Sequence, residues 1–169
     1  MDVETIKSII EKMIEQNMLL YVGDGCFERV NAIINDKNSI SRINGFEEKI
    51  NCSLPKDYKR FLLACDGIKF LSSSELSLYS IDEIMEVMNC MDYIDGVIPI
   101  GYCLEEYIVI NCKEACSDKY MYAGDAYCPD EYYSLDCSFT DFLERSIVSN
   151  FNNYWSWMKP QKKYKFIDV

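Results

Sequence analysis

The chain has 169 residues, of which 49% are hydrophobic and 27% are charged, and its formal net charge is −11. This length and composition exclude disordered, collagen-like and coiled-coil proteins and predict one compact domain that needs no metal or disulfide to fold. The sequence contains no histidine, which excludes the Ser-His-Asp and Cys-His catalytic pairs, every histidine-containing metal site and most hydrolase chemistry.

Helices are predicted for most of the first half of the chain. Apolar side chains at helical spacing in residues 3–14 predict an amphipathic helix that ends near residues 23–25. A short second helix is predicted over residues 27–34 and a third over residues 43–50. Residues 54–62 predict a fourth helix, because their proline stands where a helix can begin and needs no amide donor.

The second half of the chain predicts a sheet and two further helices. Ser80 and Glu83 have the spacing of a capping box, which predicts a short helix after an extended segment. Four short β-branched or aromatic runs separated by turn residues then predict an antiparallel sheet; they are residues 97–101, 107–112, 120–123 and 132–137. Ser138 and Asp141 cap a closing helix. This order predicts an α+β fold, with N-terminal helices packed against a twisted antiparallel sheet and a closing C-terminal helix.

The negative charge is concentrated in one part of the sequence. Residues 70–144 contain 16 acidic side chains against Lys113 and Lys119, whereas residues 1–69 contain 11 acids and 10 bases, and residues 145–169 one acid and five bases. A surface of one sign attracts basic proteins and repels nucleic-acid phosphates. We therefore expect a basic protein partner and no direct binding of nucleic acid.

The nine cysteines are expected to be reduced and mostly buried as small apolar side chains, because the chain opens with acids where a signal peptide would carry lysines. A zinc site built from Cys112, Cys116, Cys128 and Cys137 is the alternative, although its second pair is too widely spaced for a knuckle. Cys112, next to Lys113, is the one thiol whose neighbour favours reactivity. We predict no metal and no cofactor. We also predict a cytoplasmic protein, since no apolar run is long enough for a membrane span.

The order of motifs resembles the SUKH superfamily, whose name refers to a fungal regulator of cell-wall glucan synthesis. The matching features are Phe46-Glu47-Glu48-Lys49-Ile50, then Leu54-Pro55-x-Asp57-Tyr58-Lys59-x-Phe61-Leu62, Asp66-Gly67, Val97-Ile98-Pro99-Ile100-Gly101, Tyr107-Ile108-Val109-Ile110 and Ser138-Phe139-x-x-Phe142-Leu143. The resemblance implies an α+β fold without catalytic apparatus, in which Leu54, Tyr58, Phe61 and Leu62 are core and capping residues. We expect a single SUKH-like domain over residues 1–169, with residues 152–169 as an aromatic and basic extension.

For most bacterial members the resemblance implies an immunity protein that binds a toxin, often a nuclease or deaminase, and blocks it. The predicted mechanism is an acidic surface that occupies the basic substrate groove of the toxin, with exposed tyrosines as anchors. The candidate partner-binding residues are Glu105, Glu106, Asp125, Asp130 and Glu131, flanked by Tyr102, Tyr127 and Tyr132.

Two other functions are open from the residues alone. The first is a non-catalytic regulatory or adaptor protein of the cell-wall-synthesis-regulator type. The second is an enzyme that uses carboxylates, a tyrosine or a thiol, and we predict against it.

Residues 154–166 interleave aromatic side chains with lysines, a pattern also found in proteins that bind membrane surfaces or single-stranded nucleic acid. We expect these aromatic side chains to pack on the domain and not to bind a membrane. We expect the protein to be a monomer or a weak homodimer.

Overall fold

A computed structural model describes residues 2–23, 25–71, 76–90, 94–125 and 131–157. Its α-helices are α1 (Val3–Glu15), α2 (Ile40–Ile50), α3 (Lys56–Ala64), α4 (Ile81–Cys90) and α5 (Phe139–Val148). Its strands are β1 (Leu19–Gly23), β2 (Cys26–Arg29), β3 (Ala32–Ile34), β4 (Ile68–Phe70), β5 (Ser77–Leu78), β6 (Val97–Cys103), β7 (Glu106–Asn111), β8 (Met121–Asp125) and β9 (Tyr133–Ser134). Short 3₁₀ turns cover Cys112–Glu114 and Tyr154–Trp157.

The strands form two antiparallel sheets. Strands β1 and β2 make a separate hairpin, and β3 to β9 make a seven-stranded sheet in which each strand pairs with the next along the chain. The four predicted strands are its second half, and β3, β4 and β5 extend it on the other side. The α+β fold is therefore confirmed, and the edges of the larger sheet are the short strands β3 and β9.

The main core lies between the helices and one face of the larger sheet. Helix α3 contacts α1, α2 and α5, and α4 packs on β6. Alternate residues of β6 and β7 point into this core, where Ile98, Ile100, Ile108 and Ile110 are fully buried. The predicted core residues of the helix motif, Leu54, Tyr58, Phe61 and Leu62, are all buried in it.

The carboxylate of Asp57 joins three parts of this core. Its Oδ1 accepts a hydrogen bond from the hydroxyl of Tyr120, which itself accepts one from the backbone N–H of Phe139 at 3.0 Å. Its Oδ2 accepts bonds from the backbone N–H and the hydroxyl of Thr140, at 3.0 and 3.1 Å. Asp57 therefore fixes the first turn of α3 against the first turn of α5.

The predictions for residues 15–34 are wrong. Helix α1 ends at Glu15, and the predicted second helix is replaced by strands β2 and β3. Gly25, at φ 77°, forms the connection between β1 and β2, and Phe27 packs edge-on against Tyr21 at 5.6 Å outside the core. Strand β3 pairs with β4. The apolar spacing in this stretch fits a helix, but strand pairing decides the structure, locally for β2 with β1 and over a long distance in the sequence for β3 with β4.

The outer face of the larger sheet carries a small second core. Tyr132 packs there with Val97, Val109 and Tyr122 and is 1% exposed. Its ring lies directly over Gly124, where a Cβ would collide with the ring and would lie 3.0 Å from the Cα of Tyr132. The close approach of β8 and β9 thus requires glycine at this position.

Replacing Gly124 by alanine is expected to lower the free energy of unfolding by about 1–3 kcal/mol, because the added methyl overpacks the contact with Tyr132. Gly45→Ala is the matched control. Gly45 lies inside α2 with no atom within 4 Å of an added Cβ, so this change should stabilise by about 0.5–1 kcal/mol. Urea unfolding measures both, and a stabilised Gly124→Ala would contradict the packing described for Tyr132.

Candidate protein-binding surface

The turn between β6 and β7 presents two exposed side chains at the end of the larger sheet. Cys103 pairs with Glu106 across the hairpin, which leaves Leu104 and Glu105 as the two turn residues. Leu104 has φ 56°, a left-handed conformation that costs a residue with a side chain roughly 1–2 kcal/mol. The fold thus holds an apolar residue in strain at an exposed turn, a combination found at functional sites.

An open groove of about 710 Å³ begins at this turn. Tyr102, Leu104, Glu105 and Glu106 line it from the hairpin, and Asn153 lines it from the segment after α5. Tyr102 is half-buried, with its ring edge-on to Tyr107 at 5.8 Å. Three of the predicted partner-binding residues are therefore brought together in one groove.

Glu106 has an internal role that the sequence analysis missed. Its Oε1 accepts a hydrogen bond from the hydroxyl of Tyr133 at 2.5 Å, and its Oε2 accepts one from the indole N–H of Trp155 at 2.5 Å. Burial, and then the bond to Glu106, raise the pKa of Tyr133, so the tyrosine remains the donor. Glu106 therefore ties the hairpin to the C-terminal segment, while Glu105 next to it is exposed.

The other predicted site residues are distributed differently. Asp125 is exposed at the end of β8, opposite Glu106 in the strand register. Glu131 is exposed just before β9. Tyr132 is not an exposed anchor, because it is buried on the outer face of the sheet, where burial raises its pKa. Tyr127 and Asp130 lie outside the described residues.

Both lysines of the acidic region are engaged by carboxylates. The Nζ of Lys113 lies 3.0 Å from Oδ2 of Asp95, and the Nζ of Lys119 lies 3.4 Å from Oδ1 of Asp136. Their charge is locally compensated, so neither offsets the remaining acids of residues 70–144. The lysines therefore leave the excess of negative charge in this region intact, and Glu105 contributes an exposed carboxylate at the groove.

Three of the buried cysteines, Cys65, Cys112 and Cys137, have thiols that are poor nucleophiles. Burial raises the pKa of Cys112, and it raises the pKa of Cys65 to about 12 and that of Cys137 to about 11, so these thiols stay protonated. No cluster of three or more cysteine, aspartate or glutamate side chains in the described part of the chain is arranged to bind a metal ion. Cys128 lies outside the described ranges.

The first residues of the predicted C-terminal extension belong to the main core. Tyr154 and Trp155 are buried against Phe142 of α5, at ring distances of 6.2 and 5.8 Å. Trp157 instead is 71% exposed. The expectation that these aromatics pack on the domain is confirmed for Tyr154 and Trp155 and is wrong for Trp157, whereas Tyr164, Phe166 and the lysines after residue 158 lie outside the described residues.

The fold and the groove define an acidic α+β protein with an open, carboxylate-lined surface at one end of its sheet. Residues 37–145 match the SMI1/KNR4 family (SUKH-1), and the chain belongs to this family. It is similar to YobM of Bacillus subtilis (strain 168), with 30% identity over 92% of this chain and 89% of that protein. It is also similar to YnaB of the same organism, with 27% identity over 78% of this chain and 92% of that protein. Both relatives carry the description "uncharacterized protein".

Within the described ranges, no helix has the length and apolar character needed to cross a membrane.

Replacing Leu104 by glycine is expected to raise the free energy of unfolding by about 0.5–1 kcal/mol, because glycine adopts positive φ without steric cost. The control is Leu71→Gly. Leu71 is also exposed, but its φ is not positive, so glycine there should destabilise. Chemical denaturation of the two variants distinguishes them, and a destabilised Leu104→Gly would show that the turn is not strained.

Replacing Glu106 by alanine is expected to cost about 2–3 kcal/mol of stability, because it leaves the indole of Trp155 and the hydroxyl of Tyr133 without their acceptor. Glu105→Ala, one residue away and exposed, should change stability by less than about 0.5 kcal/mol. Both changes are made in a Trp157→Phe background, so that tryptophan emission during urea unfolding reports Trp155 alone. Equal effects of the two substitutions would contradict the internal role of Glu106.

Proposed function

We propose that this protein is an immunity protein that binds a cognate polymorphic toxin in the cytoplasm and neutralises it without chemistry of its own. The observation that carries the proposal is the carboxylate-lined groove at the β6–β7 turn, on a scaffold of the SUKH-1 family. Proteins of this superfamily are generally non-catalytic and bind toxins, and the acidic turn supplies a surface suited to that role.

Charge indicates the class of toxin. An enzyme that acts on nucleic acid needs a basic groove for its phosphate backbone, and an acidic surface on its inhibitor is complementary to that groove. The two lysines in the acidic region of this chain are paired with Asp95 and Asp136, so they do not interrupt the negative surface. The proposed partner is therefore a basic, nucleic-acid-modifying protein, and direct binding of nucleic acid by this chain is disfavoured.

The residues in and beside the groove have three roles in this proposal. Glu105 and Asp125 are exposed, and they attract the toxin. Leu104 and Tyr102 provide apolar contact area, and the pairing of Cys103 with Glu106 fixes the backbone of the turn before binding, which reduces the entropy lost on association. Glu106 acts as a positioning residue through Trp155 and Tyr133. Inhibition then results from steric occlusion of the toxin's substrate groove.

A regulatory or adaptor function on the same scaffold is the second candidate, because membership of the SMI1/KNR4 family does not by itself specify the partner. The two functions differ in the number and nature of the partners. An immunity protein has one stoichiometric partner that is toxic alone, whereas an adaptor retains several cellular proteins. Co-expression with the product of the neighbouring gene, scored by growth, separates them: rescue supports the immunity proposal.

For the same pair of proteins, Glu105→Lys is expected to lower the association rate constant by about tenfold at low ionic strength, with a much smaller change in the dissociation rate constant. The effect should shrink as salt is raised, because screening weakens attraction between exposed charges. Glu15→Lys in α1 makes the same change in net charge at an exposed position of another element and should have little effect. Association kinetics that are the same for Glu105→Lys and wild type at low salt would exclude the groove as the steering site.

A further inference from the structure

Several large apolar side chains with high exposure lie together beside the groove. Val148 is 85% exposed, Trp157 71%, Phe27 63% and Tyr21 51%. They come from the β1–β2 hairpin, the last turn of α5 and the 3₁₀ turn that follows it. We call these four residues the apolar ridge. Exposed apolar side chains that cluster in this way mark sites of interaction.

The residues of the ridge form a contiguous surface. A groove of about 350 Å³ runs between the hairpin and the end of α5, with Tyr21 on one side and Val148 and Trp157 on the other. Asn150 donates a hydrogen bond from its side-chain amide to the backbone carbonyl of Tyr21 at 3.2 Å, which ties the two sides together. Phe27 extends the ridge through its edge-on contact with Tyr21.

The base of the ridge is held rigidly. After α5 the chain turns sharply through Asn150 and Phe151, at φ 57° and 61°. Phe151 is buried and stacks on Phe70 at 3.9 Å. Trp157 follows two residues after Trp155, which Glu106 holds through its indole N–H. The exposed side chains therefore stand on a preorganised surface, which reduces the ordering cost of binding.

The ridge and the acidic groove meet at one residue. Asn153 lines the 350 Å³ groove between the hairpin and α5, and it also lines the 710 Å³ groove at Glu105. A partner that covers the acidic turn can therefore also cover the ridge. Tryptophan and tyrosine, together with arginine, are enriched at the energetic centre of protein interfaces, whereas the rims are polar and solvent-accessible.

We infer that the apolar ridge is the energetic centre of the toxin-binding surface, and that the toxin presents exposed aromatic or aliphatic side chains to it, bordered by lysines and arginines. This inference rests on the proposed function. The charge complementarity of the adjoining groove identifies the occupant as a basic protein. With a net charge of −11, a second copy of this chain would bring like charges together, and an anionic lipid surface would be repelled.

The test compares single substitutions on the ridge with one elsewhere. Trp157→Ser and Val148→Ser are each expected to weaken binding of the purified neighbouring-gene product at least tenfold, mainly through faster dissociation and at both low and high salt. Ile40→Ser is the control, because Ile40 is 66% exposed at the start of α2 and lines none of the grooves described above. Circular dichroism and urea unfolding establish that each variant is folded.

The outcomes separate the inference from the proposed function. If the ridge variants bind like wild type while Glu105→Lys weakens binding, the inference is overturned and the immunity proposal stands. If wild type neither binds the neighbouring-gene product nor rescues growth, both fail.

Two other occupants of the ridge are also distinguished. Sedimentation showing a wild-type dimer that Trp157→Ser converts to a monomer would assign the ridge to a second copy of the chain and overturn the inference. The lysine- and aromatic-containing residues 158–169 follow directly after Trp157. If the ridge is open to the toxin and not covered by this segment, acrylamide quenching of tryptophan emission should be the same in full-length wild type and in the Tyr164→Ser/Phe166→Ser variant. A marked rise in quenching in that variant would show that the chain's own C-terminus covers the ridge, which would also overturn the inference.

Discussion

The position of the C-terminal third of the molecule depends on the carboxylate of Asp57. This one side chain accepts four hydrogen bonds, from the backbone N–H of Tyr58, the hydroxyl of Tyr120 and both the N–H and the hydroxyl of Thr140. Hydrogen bonds to an ionised acceptor are stronger than those between neutral groups. Tyr120 lies 63 residues after Asp57 in the sequence, and Thr140 lies 83 residues after it. The network therefore fixes distant segments of the chain against α3.

The placement of α5 has consequences that extend to the groove. Since Asp57 sets the first turn of α5, it also sets the direction in which that helix delivers Phe151 and Trp155 to the core. Trp155 then meets Glu106 and holds the β6–β7 hairpin. The acidic turn and the apolar ridge are thus linked to one another through the partly buried hydrogen bond between Trp155 and Glu106, and the geometry of the surface follows from the packing of the fold.

Sequence patterns predicted the elements whose signals are local. The capping boxes at Ser80 and Ser138 are present in the structure, and the four strands of residues 97–137 form an antiparallel sheet. The stretch from residue 15 to residue 34 could not be predicted in this way, because its apolar spacing fits a helix and only pairing with β4 selects strand for β3.

The candidate site was predicted in part for a related reason. Negative charge along the sequence indicated Glu105 and Glu106, and the fold places both at the same groove. Charge alone could not distinguish an exposed carboxylate from one that accepts bonds from Trp155 and Tyr133. The prediction that Tyr132 is an exposed anchor was wrong, because Gly124 in the neighbouring strand leaves room for its ring to be buried against the sheet. Leu104, Asn153 and Trp157 carry no charge pattern, and the positive φ of Leu104 is visible only in the structure.

The two edges of the larger sheet affect the tendency of the protein to aggregate at high concentration. Strand β3 has three residues and strand β9 has two, so each edge offers very few backbone groups to a neighbouring chain. Edge-to-edge pairing needs a longer run of free amides and carbonyls to initiate the stacking of chains. Short edges on a strongly acidic protein therefore oppose the formation of fibrous aggregates, even though the interior of its sheet is rich in isoleucine and tyrosine.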